Sequence, residues 1–74
     1  MAERILDLRG LRCPLPVLKA KKLMRTLAAG DRLILECTDP MTVIDIPNFA
    51  RQENHVLERQ EQRDGVYIYA LSKA

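Results

Sequence analysis

A cysteine followed by proline, leucine and a second proline is the segment of this chain best suited to nucleophilic sulfur chemistry. Proline is tolerated in the first turn of a helix because its missing N–H would have no partner there. The segment therefore predicts a helix with Cys13 at the N-cap, Pro14 at the first helical position and Pro16 at the third. Neither proline donates an N–H, which leaves those of Leu15 and Val17 to face the cap.

The predicted helix start has a consequence for the Cys13 thiol. A sulfur at the positive end of a helix dipole is favoured as a thiolate, and its pKa falls. Arg9 and Arg12 precede the cysteine and add positive potential. Serine, threonine, aspartate or asparagine would cap the helix better, so a cysteine here indicates a chemical role. The alternative is that Cys13 is a buried, inert thiol, as free cysteines commonly are.

The remaining residues narrow the chemistry that Cys13 can support. A protease-type nucleophile needs a histidine base, and the single histidine, His55, follows the second predicted helix and is expected towards the opposite edge of the sheet. A thioredoxin-type exchanger needs a cysteine where Pro16 stands. Two cysteines and one histidine at unrelated spacings form no zinc motif, so we expect no metal and no cofactor. What remains is a thiolate that attacks a sulfane sulfur or disulfide on another protein.

Cys37, the second cysteine, is predicted to be a buried structural thiol. It alternates with Leu33 and Leu35 on the face of a predicted strand, Arg32–Thr38, that lies under the helices. A redox-responsive regulator is the alternative function. In that case Cys13 and Cys37 would form a reversible disulfide, which requires their Cα atoms to lie within about 7 Å.

Size and composition exclude several classes of protein. A chain of 74 residues is expected to form one domain, residues 1–74, with a modest core and little room for a deep pocket. Its hydrophobic fraction of 47% and charged fraction of 30% are typical of a globular domain. No run of about 18 apolar residues and no signal-peptide core is present, so we expect no membrane span and a cytoplasmic location. We also expect a monomer.

Basic residues are concentrated in the first part of the chain. The net charge of only +2 gives no support to general nucleic-acid binding. The basic run is either a solvated helix face or a docking surface for an acidic partner or an RNA backbone. An RNA-binding module is a third alternative, although three aromatic residues offer little base stacking and direct nucleic-acid binding is not expected. The basic residues that we expect to help dock partner proteins are Arg9, Arg12, Lys19 and Lys22.

The elements that must position Cys13 follow from apolar periodicity and from turn residues. The predicted elements are a strand Ile5–Leu8, a helix Pro14–Ala29, a strand Arg32–Thr38, a second helix, and strands Val56–Gln62 and Val66–Leu71. Asp39 as N-cap and Pro40 begin the second helix. Pro47 predicts a kink or two short helical pieces, with Asp45 capping the second piece. Asp64-Gly65 predicts a hairpin turn of type I′.

This βαβαββ order predicts an α/β two-layer sandwich, in which two helices cover one face of a four-stranded mixed sheet. In a βαβ unit the loops after the first and second strands emerge at the same edge of the sheet. Cys13 and Asp39 should therefore begin their helices side by side, where open α/β folds bind partners. We expect Asp45 near this edge too, where it would orient the mobile sulfur or a basic residue of a partner.

The segment Leu8–Lys19, LRGLRCPLPVLK, resembles the Cys-Pro-x-Pro motif of the TusA/SirA family of small sulfur-carrier proteins. The segments Thr38-Asp39-Pro40 and Asp45-Ile46-Pro47 resemble the second landmark of that family. The similarity runs from about Ile5 to the C-terminus. One departure is Asn54-His55, where family members often carry Gly-His; asparagine can also adopt the left-handed conformation that ends a helix.

The resemblance implies a fold similar to the C-terminal domain of bacterial translation initiation factor 3. It also implies that Cys13 accepts sulfur as a persulfide from a cysteine desulfurase or rhodanese and passes it to a downstream relay protein. The best-known destination in the family is 2-thiouridine in tRNA, while other members serve sulfur oxidation, thiosulfate use or molybdenum-cofactor formation. The resemblance thus implies a carrier that acts with partner enzymes rather than an independent catalyst, and leaves the pathway open.

Overall fold

Six secondary-structure elements follow one another in the order predicted from the sequence. The computed structural model describes residues 2–74. Its elements are β1 (Glu3–Leu8), α1 (Leu15–Met24), β2 (Arg32–Cys37), α2 (Thr42–Gln52), β3 (Val56–Arg63) and β4 (Val66–Ser72). The strands form one sheet in the order β1-β2-β4-β3, in which β1 and β2 are parallel and the other neighbours antiparallel. The predicted mixed sheet of βαβαββ order is confirmed.

The core lies on one face of this sheet, under the two helices. Leu33, Leu35 and Cys37 of β2 are fully buried, which confirms the predicted alternation along this strand. The opposite face is more open, and Ile5 of β1 remains 65% exposed there. The helices and β4 complete the core with Ala20, Met24, Ile46, Phe49, Ala50, Tyr69 and Leu71. Both helices therefore lie on the same, covered face of the sheet.

The turn between β3 and β4 has the conformation that its sequence predicts. Asp64 and Gly65 have φ angles of 51° and 77°, and a type I′ turn requires positive φ at both central residues. Asparagine or aspartate followed by glycine tolerates this conformation best. The hairpin is therefore fixed locally, by two residues.

The beginning and end of α1 differ from the prediction. Pro14 is the N-cap and Pro16 the second helical residue, so Cys13 precedes the cap instead of forming it. The Leu15 N–H donates to the Arg12 carbonyl at 2.8 Å, which closes a turn over Cys13 and Pro14. The peptide bond between Cys13 and Pro14 is cis. The helix ends at Met24 and not near Ala29, because the chain continues in tighter turns of i→i+3 bonds.

The second helix also begins later than predicted, and it is continuous. Asp39 accepts the Met41 N–H at 3.0 Å in a turn that precedes α2, and the helix itself begins at Thr42. Pro47 lies inside α2, so the prediction of two short helical pieces is wrong. A proline near the start of a helix removes a single i→i−4 bond, and the helix continues here because Ile46 is anchored in the core. Asp45 caps no second piece; it belongs to the first turn of α2.

Both ends of the described chain lie at the edge of the sheet where β1 begins. The Arg32 N–H donates to the Ala2 carbonyl at 2.9 Å, and the Gly30 N–H donates to the Lys73 carbonyl at 2.9 Å. Asp31 adds to this arrangement, because its carboxylate accepts the Ala2 N–H at 3.1 Å and the Ala28 N–H at 2.9 Å. The loops that follow β1 and β2 leave from the opposite edge.

Candidate functional site

Cys13 is an exposed free thiol at the edge where β1 and β2 end. Leu8 and Cys37, the last residues of these parallel strands, are partners in register, so the two following loops leave the sheet side by side. The Cys13 N–H donates to Asp39 Oδ2 at 2.7 Å, across 26 residues of sequence. The two loops therefore meet directly at the cysteine.

A second hydrogen bond joins the same two loops. The Gly10 N–H donates to Thr38 Oγ1 at 2.8 Å. Backbone donors of Cys13 and Met41 both bond to the Asp39 carboxylate, and these bonds hold the pKa of Asp39 below its usual value. The sequence indicated only a capping role for Asp39. Its bond to Cys13 depends on the strand register, which no local sequence pattern signals.

Cys13 borders a groove between the two helices, here called the Cys13 groove, with a volume of about 260 Å³. Its lining residues are Cys13, Pro14, Val17 and Lys21 on the α1 side and Asp45, Asn48, Phe49 and Gln52 on α2. A larger depression of about 540 Å³ lies beside the loops around Gly10 and Pro40 and does not include the thiol. The Cys13 groove is therefore the depression that the cysteine itself lines.

The carboxylate of Asp45 controls the electrostatics of the thiol. A hydrogen bond with Asp45 raises the pKa of Cys13, and desolvation and the charges of Asp45 and Asp39 act in the same direction. The sequence predicted a lowered pKa, and that prediction is wrong. Two carboxylates lie close to the thiol, and α1 begins two residues beyond it, so the positive end of the helix does not decide the shift.

Arg9 and Arg12 were predicted to favour the Cys13 thiolate, but their charges act on other groups. Arg9 forms a two-point contact with Asp7, at 2.9 and 3.0 Å, which holds the pKa of that carboxyl at about 2. Arg12 acts on Asp39, whose pKa it helps to lower. Both arginines remain exposed and available to a partner protein.

Lys19 and Lys22 do not face the Cys13 groove. They line a separate cavity of about 260 Å³ with Leu6 of β1. Lys21 faces the groove instead, and its Nζ lies 3.3 Å from a Glu53 carboxylate oxygen. The four basic residues predicted to dock partners therefore do not form one patch around the cysteine.

Exposed apolar side chains are concentrated at the helix starts that flank Cys13. Within residues 2–74, seven large hydrophobic side chains are exposed, and five of them belong to the helix starts beside Cys13. These five are Leu15, Leu18, Met41, Val43 and Ile44. Ile44 is 56% exposed and therefore contributes little to the core. Sequence periodicity missed this surface because the five residues come from two separate helices.

Cys37 is fully buried, as predicted, and its burial raises its pKa to about 11. A thiol sealed in the core is a poor partner for a reversible disulfide with Cys13. This position counts against the redox-responsive regulator.

His55 lies at the far end of α1 from Cys13. It lines a small cavity with Met24 and Lys73, and its Nδ1 accepts the Ala74 N–H at 3.2 Å. Its ring centroid lies 5.6 Å from that of Phe49, with the two rings tilted by 60°. A ten-residue helix spans about 15 Å, so His55 cannot serve as the base for the thiol.

Residues 2–74 contain neither a metal-binding cluster nor a membrane-spanning helix. No three His, Cys, Asp or Glu side chains in this range form a group able to hold a metal ion. None of the helices in the same range has the length and apolar character needed to cross a membrane. The groups that form the site are the Cys13 thiol, the carboxylates of Asp39 and Asp45, and the lining of the Cys13 groove.

Fold and site define a small α/β protein that presents one accessible cysteine in a Cys-Pro-Leu-Pro turn. A family model described as Sulfurtransferase TusA matches residues 4–73, and the chain belongs to this family. The fold is similar to that of a SirA-like protein from Desulfitobacterium hafniense, with a TM-score of 0.83. The two proteins share 24% sequence identity, and the match covers 93% of this chain and 95% of the other.

Proposed function

We propose that this protein is a sulfur carrier that holds transferred sulfur on Cys13 as a persulfide. The observation that carries the proposal is the exposed Cys13 thiol beside an open groove, in a chain of the TusA sulfurtransferase family whose other cysteine is buried. A carrier thiol must be reached by the active sites of other proteins, which requires exposure rather than a deep pocket of its own.

The proposed transfer is an exchange at sulfur. The Cys13 thiol loses its proton, and its sulfur attacks the outer sulfur of a persulfide on the donor protein. The S–S bond of the donor breaks, a new S–S bond forms on Cys13, and the donor cysteine leaves as a thiolate. No net oxidation occurs. Delivery repeats the same step with Cys13 as the leaving group.

Asp45 has a proposed role in both steps. Its carboxylate lies beside the thiol, so it can accept the proton that Cys13 loses or orient a basic residue of the partner. The turn of Pro14, Leu15, Pro16 and Val17 holds the thiol at the start of α1. Exposed apolar residues at both helix starts would contact the partner, with Arg9 and Arg12 at one side and Lys19 and Lys22 further along α1.

The partners are proposed from family membership. A cysteine desulfurase or a rhodanese would supply the sulfur, and a downstream relay protein would receive it, with 2-thiouridine in tRNA as one destination. We propose that residues 1–74 act as one monomeric carrier domain in the cytoplasm, where thiols stay reduced.

The direct test is sulfur loading followed by intact mass measurement. The protein is incubated with a cysteine desulfurase, cysteine and labelled sulfur. We expect the chain to gain sulfur that dithiothreitol removes, because a persulfide is reducible. Absence of any gain, with an established carrier loading in parallel, would refute the proposal.

Two cysteine variants locate the sulfur. Cys13→Ser should gain none, because the nucleophile is missing. Cys37→Ala should load like the unchanged chain, because Cys37 is buried away from partners. Equal loading of Cys13→Ser and the unchanged protein would contradict the assignment of the carrier thiol.

A further inference from the structure

The Asp39 carboxylate joins the two loops that form the site. Its Oδ2 accepts the Cys13 N–H at 2.7 Å, and its Oδ1 accepts the Met41 N–H at 3.0 Å. Hydrogen bonds from backbone N–H groups to a carboxylate are strengthened by the charge. A capping turn at α2 would need one of the two oxygens. The other oxygen holds the backbone of the cysteine.

Asp39 is itself fixed to the core through Thr42. The Thr42 hydroxyl donates to the Asp39 carbonyl at 2.7 Å and accepts from the Tyr69 hydroxyl, with 2.9 Å between the two oxygens. Thr42 and Tyr69 are both fully buried. A continuous series of hydrogen bonds thus runs from β4 in the core to the backbone of Cys13.

We propose that Asp39 is a positioning residue for Cys13, which holds the cysteine backbone against the start of α2 and so sets the place of the thiol beside Asp45. The role rests on the sulfur-carrying function proposed above. Asp45 lies in the first turn of the same helix, so one contact fixes the thiol relative to the group that handles its proton. An unfixed loop would let the thiol leave the Cys13 groove, and small displacements of a reacting atom slow a transfer strongly.

Asp31 provides a matched control at the opposite end of the sheet. Its carboxylate also accepts two backbone N–H groups from separate segments, those of Ala2 and Ala28. Serine at position 39 can still accept the Met41 N–H two residues ahead, but its single hydroxyl cannot also reach Cys13. Asp39→Ser and Asp31→Ser therefore remove comparable bonds, and only the first removes one at the cysteine.

Amide hydrogen exchange, measured by NMR, tests the contact without any partner protein. The Cys13 N–H should be protected in the unchanged protein. In Asp39→Ser it should exchange at least about tenfold faster, as expected for a lost charge-assisted bond, and in Asp31→Ser it should keep its protection. An unprotected Cys13 amide in the unchanged protein, or equal rates in both variants, would overturn the proposal.

Sulfur transfer from a cysteine desulfurase tests the consequence. We expect Asp39→Ser to lower the kcat of transfer about tenfold or more while the KM for the carrier changes less than about twofold. Asp31→Ser should alter neither constant. A raised KM with unchanged kcat would overturn the proposal, because Asp39 would then contact the partner instead of positioning Cys13.

Asp39→Asn covers the case in which the serine variant fails to fold. The amide keeps one acceptor oxygen, so we expect a folded protein with a smaller loss of Cys13 amide protection and of kcat. Behaviour identical to that of the unchanged protein in both measurements would count against the proposal. If the unchanged protein takes up no sulfur at all, the carrier function fails, and the exchange measurements still decide whether Asp39 holds the cysteine backbone.

Discussion

Asp45 makes the Cys13 thiol less reactive at neutral pH than the Cys-Pro-Leu-Pro motif alone would predict. A cysteine with a raised pKa is mainly protonated at neutral pH and reacts slowly, because the thiolate is the nucleophile. A partner that brings a cation beside Asp45 would weaken this effect and increase the thiolate fraction. The unaccompanied carrier would then be protected from small oxidants, and a docked one would be reactive.

Asp45→Asn should make free Cys13 more reactive. The substitution removes the negative charge that stabilises the neutral thiol, so the pKa of Cys13 should fall and alkylation at neutral pH should accelerate. The measurement is the rate of iodoacetamide labelling as a function of pH, read by intact mass. Asp64→Asn, in the distant β3–β4 turn, should leave the profile unchanged. A profile that does not move in Asp45→Asn would show that the carboxylate does not control the thiol.

The sequence located the residues of the site better than it predicted their electrostatics. Exposure of Cys13 and its meeting with Asp39 follow from the βαβ order, which brings the two loops to one edge of the sheet. The sign of the pKa shift does not follow, because it depends on where Asp45 lies after α2 has packed. Arg9 was expected to support the thiolate, and it binds Asp7 instead.

At the scale of elements, a residue far along the chain bonds to the end of α1. Lys73 Nζ donates to the carbonyl of Met24 at 2.8 Å and to that of Leu27 at 2.6 Å. A cation at a helix C-terminus bonds to carbonyls that lack helical partners and is favoured by the dipole. The apolar periodicity of α1 continues to Leu27 and could not reveal this contact.

Lys73→Ala should destabilise the protein by about 1.5 kcal/mol, because two charge-assisted bonds to α1 are lost. Urea denaturation followed by circular dichroism measures the change in the free energy of unfolding. Arg4→Ala, which removes an exposed basic side chain of β1, should change it by less than about 0.5 kcal/mol. Equal effects of the two substitutions would show that the contacts of Lys73 contribute nothing specific.

The buried hydroxyl pair of Thr42 and Tyr69 links α2 to β4. Thr42→Val should cost about 2 kcal/mol, because it leaves the Tyr69 hydroxyl without its partner in the core. The double variant Thr42→Val/Tyr69→Phe should recover part of that loss, since both polar groups are then absent. Thermal or urea unfolding of the unchanged protein, Thr42→Val, Tyr69→Phe and the double variant gives the coupling energy. Strict additivity would contradict an energetic link between the two hydroxyls.

Element order could be predicted, and the boundaries of the two helices could not. Alternation along β2 and the Asp64-Gly65 turn are local signals, and both gave the observed structure. The end of α1 is bonded to a residue distant in sequence, Lys73, which no local pattern signals. The continuity of α2 through Pro47 likewise reflects anchoring by Ile46 in the core, a tertiary effect that overrides the local preference of proline.

At the scale of the whole molecule, alkaline pH should weaken the fold through Cys37. Its pKa rises from an ordinary 9.0 to about 11 in the folded protein, so the unfolded chain loses the proton first. The contribution of this group to stability is present below pH 9 and is lost as the pH rises towards 11. Tyr69, whose pKa is also raised by burial, acts in the same direction.

Urea denaturation between pH 8 and pH 11 measures this loss. We expect the Cys37 contribution to fall by about 2 kcal/mol over the range, and Cys37→Ala should show a correspondingly shallower decline. The difference between the two curves isolates the thiol from Tyr69. Parallel curves for the two proteins would contradict a buried, protonated Cys37.

Ala2 and Lys73 lie at the end of the sheet remote from Cys13. The thiol and the ends of the described chain therefore occupy opposite ends of the molecule. A strand of six residues spans about 20 Å, so the reactive thiol and the chain ends are separated by the length of the sheet. An attachment next to Ala2 or Lys73, such as a fluorophore, a bead or a fused protein, would lie at the opposite end of the sheet from the thiol. The protein can therefore be immobilised in one orientation, with Cys13 accessible to soluble partners.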